Sequence, residues 1–182
     1  MAHVFTTSYL ADSISLLRYY KGLADRAMAQ LSDRELLQAL GPEENSIAII
    51  VKHLAGNLRS RWTDFLTTDG EKADRNRDSE FEAPPASRAE LLAMWEHGWR
   101  CLLGTLETLT EADLTREIRI RTEPHSVMQA INRALGHIAH HAGEIVFLAR
   151  HWKGGEWQTL SVPRGQSAEF SARVASGQAS QR

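Results

Sequence analysis

Four long segments of this chain repeat apolar side chains at helical spacing, and that pattern restricts the fold more than any other feature. In the first, from Val4 to about Gln30, Phe5, Tyr9, Ile14, Leu17, Tyr20, Leu23 and Ala27 fall on one face, with Ser and Asp opposite. The stretch "LSDRELLQALGPEENS" then offers a short helical turn at Leu36 and Leu37. Gly41-Pro42 breaks it, and Asn45 or Ser46 stands ready as a cap. A second helix is predicted over Ile47 to Leu66, its inward stripe made by Ile47, Ile50, Val51, Leu54, Leu58, Trp62 and Phe65. A third opens at Ser87, where Glu90 completes a capping box, and buries Leu91, Leu92, Trp95, Trp99, Leu102, Leu103 and Leu106. The fourth runs from about Ser126 to Trp152.

A helix with one apolar stripe must bury it against another helix, so four such segments with almost no strand signal predict an all-α four-helix bundle. Loop lengths allow either an up-down-down-up or an up-down-up-down order. Residues 1–170 are expected to form one bundle domain with long loops and an irregular C-terminal tail, of which 171–182 is flexible. Between the second and third helices, "TTDGEKADRNRDSEFEAPPA" is dense in charge and closed by a Pro pair. That is loop chemistry, at a length often associated with function. In "REIRIRTEPHS" the alternation places Ile118 and Ile120 in a short extended piece ahead of Pro124.

Composition excludes several functions. A formal net charge of −2 gives no basic excess for binding nucleic acid through bulk charge. The single cysteine, Cys101, permits no internal disulfide and no cysteine-rich zinc site, and it reads as a core residue. The N-terminal stretch lacks the pattern of a secretory signal, and no apolar run approaches the ~20 residues of a membrane span. A cytoplasmic protein with neither membrane nor nucleic-acid partners is expected.

Against this background, "ALGHIAHHAGEIVFLAR" is anomalous, because it sets imidazoles into an apolar helix. The fourth helix carries the row Val127, Ile131, Ala134, Ile138, His141, Ile145, Leu148, Trp152, so His141 occupies a core position. His137 lies one turn earlier on the same face, the spacing that lets two imidazoles converge on one ion. A third ligand must come from another helix, and His53 in "VKHLAGN" sits on the inward side of the second. Three neutral imidazoles leave coordination positions free for water or substrate. Core histidines bonded within a bundle give the same spacing, and spacing alone leaves both readings open. His3, His97, His125 and His151 read as surface or structural.

The pairing of "HLAGN" on the second helix with "HIAHHAGEI" on the fourth resembles the DinB-like superfamily of four-helix bundles over about residues 5–152. In those proteins one His of helix two and an i,i+4 pair of helix four hold a divalent metal. The resemblance implies His53, His137 and His141 as ligands. "RWTDFLTTDGEKADRNRDSEF" and "WQTLSVPRGQS" further resemble a branch of that superfamily carrying this loop and this tail. The chain departs from the common "HHRGQ" run at Ala142 and Glu144. Glu144 points toward the site as an orienter of an imidazole, a general base or a fourth ligand, with the first two favoured. Asn57, one turn after His53, is expected to line the same pocket.

The resemblance also implies chemistry. Characterised relatives include enzymes that ionise a low-molecular-weight thiol on the metal, and a divalent ion lowers the pKa of a bound thiol. A metal-dependent transferase or hydrolase acting on a small molecule is therefore one reading. A binding protein that sequesters or senses a stress molecule is a second, and a bundle tied together by a structural metal is a third. Imidazole donors suit zinc or nickel first, then iron or manganese. Arg59, Arg61, Arg75, Arg77, Arg119 and Arg121 are candidates for a basic rim that would hold an anionic substrate. Trp95, Trp99, Tyr19, Tyr20, Trp62, Trp152 and Trp157 offer more aromatic surface than one core needs, which predicts a homodimer.

Overall fold

The computed structural model describes residues 5–180 and, within them, the side chains from residue 8 onward. Val4 and the Phe5 side chain, counted above in the first stripe, lie outside that description. Four long helices form the bundle: α1 (Phe5–Met28), α3 (Ile47–Trp62), α4 (Arg88–Leu106) and α5 (Val127–Lys153). A short α2 (Asp33–Leu37) and a C-terminal α6 (Ser167–Ala175) complete the helices. Helix α6 spans the expected boundary between the bundle domain, ending at 170, and the tail, starting at 171. No described helix is long and apolar enough to cross a membrane.

The helix starts follow their caps. Ser46 and Ser87 accept from the N–H of Ile49 and Glu90, while Ser126 closes a reciprocal capping box with Gln129. Helix α3 stops at Trp62 instead of reaching Leu66, because Asp64 takes the left-handed region at φ 48°. Phe65 nevertheless stays in the core and stacks on Trp62 at 4.5 Å. In α4, Leu92 is exposed rather than buried, since it lies at the edge of the stripe next to Leu91. Of the seven aromatics that suggested a dimer, Trp62, Trp95 and Trp99 are each at most 2% exposed, Tyr20, Trp152 and Trp157 are partly buried against the core, and Tyr19 is exposed.

Side-chain contacts fix the helix order. Tyr9 bonds the Met128 carbonyl and Gln30 bonds the Gln158 carbonyl, so α1 and α5 run parallel. Gly98 packs on Ala55 and Thr105 bonds the Trp62 carbonyl, so α3 and α4 are parallel too. Lys21 meets Glu96 and Arg18 meets Glu107, which sets α1 antiparallel to α4. The order is up-down-down-up, and two parallel neighbours need a crossover between them. The charged stretch 67–86 is that crossover.

The crossover is firmly seated. Buried Ser60 donates to the Gly70 carbonyl and accepts from the Lys72 N–H. The Gly70 N–H bonds the Arg119 carbonyl. That carbonyl belongs to a hairpin of β1 (Glu117–Ile120) and β2 (Glu123–Ser126), in which Ile120 pairs with Glu123. Ile118 and Ile120 are extended as expected. The second strand, carrying Pro124, had no sequence signal. Pro124 is tolerated because a two-stranded ribbon has only edges.

Candidate metal centre

Helix α5 is continuous through residues 137–141, so its pitch alone stacks the two imidazoles. The Nε2 atoms of His137 and His141 lie 3.2 Å apart. Helix α3 passes antiparallel to α5 at this level and delivers His53, whose Nε2 is also 3.2 Å from His137 Nε2. The ring nitrogens of His53, His137 and His141 lie within 4.8 Å of one another, a cluster that can hold a metal ion. His53 is 4% exposed, and the other two are partly buried.

Two carboxylates set the direction of the lone pairs. His53 Nδ1 lies 2.9 Å from Glu80 Oε2, and His141 Nδ1 lies 2.5 Å from Glu144 Oε2. An ionised carboxylate only accepts, so each Nδ1 carries the proton and donates it. In a neutral ring the Nε2 is then a bare lone pair, and both face His137 Nε2. This is the outer arrangement that metal-binding histidines use. Glu144, at the exposed side, also meets His140 at 3.3 Å. It stands behind His141 and not among the converging Nε2 atoms. His140, His141 and Glu144 form a second, more exposed group. There, the Nδ1 of His141 is already engaged by Glu144.

Glu80 was not singled out by sequence, since it sits in the crossover 27 residues from His53 with no periodicity to relate them. It is 6% exposed and is clamped by Arg75, whose Nε and Nη2 reach its two oxygens at 2.8 and 2.9 Å. Gly56 makes room for it, because a Cβ there would stand 2.2 Å from Glu80 Oε1. The "G" of "HLAGN" was the legible trace of this contact. Phe81 packs against His53 with ring centroids 4.7 Å apart and planes tilted by 33°.

The electrostatics favour neutral rings at His137 and His141. Burial pushes His137 down to about 3, aided by the charges of His141, His53 and Arg133. Burial also lowers His141, against an opposing pull from Glu144. Although burial works to raise the Glu80 carboxyl, hydrogen bonds from His53 and Arg75 hold it below the usual carboxylate range. Neutral imidazoles beside an ionised carboxylate are the protonation states in which these groups can coordinate and orient.

The geometry also suits an ion. Zn–N bonds of about 2.0–2.1 Å at tetrahedral angles put neighbouring nitrogens about 3.3 Å apart, close to the two 3.2 Å separations here. Beyond His53 and His137 opens a cavity of about 520 Å³. Asn57 lines it together with Trp62, Phe65, Ala130 and Ala134. Of the six arginines proposed for a rim, Arg61, Arg75, Arg77 and Arg121 line the cavity. Arg59 instead pairs with Asp74, and Arg119 bonds the Thr122 carbonyl. Arg133, one turn before His137, joins the lining and was overlooked because it reads as an ordinary exposed helix charge. His97 and His151 are exposed, and His125 bonds the Glu123 carbonyl; none belongs to the cluster. His3 lies outside the described residues. Cys101 is half-buried against the core.

Among curated proteins and among solved structures, no match to this chain was found. Residues 4–166 match a family described as a protein of unknown function, DUF1572. That match spans all four bundle helices and every residue of the histidine cluster. The chain belongs to the DUF1572 family, one of the DinB-like families.

Proposed function

We propose that the protein binds one divalent metal ion through His53, His137 and His141 and uses it on a small molecule, as a transferase or hydrolase. The observation that carries this reading is the convergence of three Nε2 lone pairs, two of them aimed by carboxylates, at the wall of an open cavity. Three protein donors leave a position free on the cavity side, whereas a structural site closes its coordination shell with protein. Zinc or nickel fits imidazole donors best. A divalent ion held there supplies Lewis acidity, lowering the pKa of a bound thiol or water toward neutrality.

The chain's own residues supply the rest. Glu80 and Glu144 orient the imidazoles, and Arg75 keeps Glu80 ionised. Glu144 is 40% exposed and can pass a proton to solvent, which suits it to assist deprotonation at the site. Asn57 offers an amide to a ligand in the cavity. Among the described residues no cysteine stands at the cluster; half-buried Cys101 lies on α4 beside Thr63 and His97. A thiol substrate or water would therefore be the attacking group.

The test is elemental analysis of protein purified without a metal-affinity tag, run beside a His53→Ala, His137→Ala, His141→Ala triple variant. We expect about one equivalent of divalent metal in the wild type and none in the variant. An absence of metal from both, together with an unchanged melting temperature, would overturn the reading.

A further inference from the structure

The cavity beside the histidine cluster has a charge that its own carboxylates do not balance. One oxygen, Glu71 Oε2, faces three guanidinium groups: Arg61 at 2.9 Å, Arg121 at 3.1 Å and Arg75 at 3.5 Å. A carboxylate oxygen has about two lone-pair sites, so it cannot accept well from all three. Arg61 loses the contest. Its buried Nη1 makes no hydrogen bond despite the short distance, which means the approach is misaligned. Glu80, which is buried, is already spent on Arg75 and His53.

Two more guanidinium groups enter the same space. Arg77 lies over the Phe81 ring at 5.0 Å, and Phe81 in turn packs against His53. Arg133 lines the cavity one turn from His137 and makes no ion pair among the described residues. Against them stands Asp78, almost fully exposed and 3.9 Å from Arg77. Placement of these groups is not left to loose side chains. Asp69 accepts from the backbone N–H groups of Arg121 and Thr122, both at positive φ, and so holds the hairpin turn that brings Arg121 to the cavity. Ala130 and Ala134, which line the cavity together with Arg133 and His137 of the same helix, are small and leave it room.

We infer that this cavity binds the anionic end, carboxylate or phosphate, of a small molecule whose reacting end lies at the histidine cluster. Arg121, Arg133 and Arg77 are the exposed donors that reach the ligand, and Arg61 supplies field from behind. A cleft lined by one sign of charge concentrates counter-ions, and the guanidinium fork matches either anion in two-point contact. A volume of about 520 Å³ lies in the range of ordinary ligand sites. The inference deepens the metal reading and rests on it for the identity of the reacting end; the anion subsite stands on the arginines alone.

Calorimetric titration of the metal-free and the zinc-loaded protein with succinate, with inorganic phosphate and with neutral succinamide tests it. One succinate or phosphate is expected to bind per chain, and succinamide is not. Tighter succinate points to a carboxylate ligand and tighter phosphate to a phosphorylated one. An Arg121→Gln, Arg133→Gln double variant is expected to weaken binding about tenfold or more, with Arg133→Gln alone intermediate and Arg150→Gln, at the far end of α5, unchanged. Because both side chains are exposed, these variants keep the fold, which circular dichroism checks. Anion binding without bound metal in any preparation would sink the metal reading and leave this one standing. Metal bound with no response to succinate or phosphate, or a double variant that binds them as the wild type does, would overturn the anion subsite.

Discussion

Glu80 touches His53 only because residue 56 has no side chain, and this gives the single atom Cβ a measurable effect. In Gly56→Ala the new methyl would meet a carboxylate that cannot swing away without leaving Arg75 and His53. The variant is expected to fold and to bind zinc about 10–100-fold more weakly, as lost outer partners of metal ligands generally do. Glu80→Gln should fall in the same range, since an amide still accepts from Nδ1 but no longer carries charge. Competition titration with a zinc chelator measures both. Wild-type affinity in either variant would mean that Glu80 does not orient His53 toward an ion.

Among the elements, the α3–α4 crossing is the tightest. A Cβ on Gly98 would stand 2.9 Å from the Ala55 Cα and 3.0 Å from its carbonyl oxygen, and backbone cannot yield as a side chain does. Gly98→Ala is expected to cost about 1–3 kcal/mol in urea unfolding, opposite in sign to the usual gain for replacing a helical glycine by alanine. The crossover segment has a chemical latch of its own. Asp69 accepts from the backbone N–H groups of Glu71, Thr122 and Arg121, which hold its carboxyl below the ordinary range. With the folded value depressed, the unfolded or released segment binds protons first. The latch is therefore complete above the ordinary Asp value of about 4 and is lost as pH falls through the lower folded value. Hydrogen exchange at the Arg121 and Thr122 amides should lose its protection, relative to the intrinsic rate at each pH, below about pH 4. In Asp69→Asn it should already be fast at neutral pH, and equal protection in the two proteins would refute the latch.

For the molecule as a whole, the proposed metal, held by His53 of α3 and His137 and His141 of α5, would couple ion binding to global stability. Binding to the folded state alone adds about 2.7 kcal/mol at a hundredfold excess over the dissociation constant. Zinc should raise the urea midpoint of the wild type and leave the triple-histidine variant where it was. A shift of equal size in both would place the ion elsewhere.

What the sequence determined by itself is whatever follows from periodicity and local chemistry. The four helices, their serine caps and the pairing of His137 with His141 are set by pitch and by neighbours within a few residues, and all are present. The inward stripe of α3 likewise placed His53 on the correct face. The charged stretch from Thr67 to Ala86 gave no such signal, because its order comes from partners far along the chain. Ser60, Arg119 and the Arg121–Thr122 turn seat it, and a turn at positive φ cannot be read from Arg-Thr. Glu80 behind His53, three arginines on one oxygen of Glu71, and Arg133 beside the cavity were decided by the up-down-down-up order. That order lays a long crossover across the open end of the α3–α5 groove, and no local pattern specifies which distant side chains such a crossing brings together.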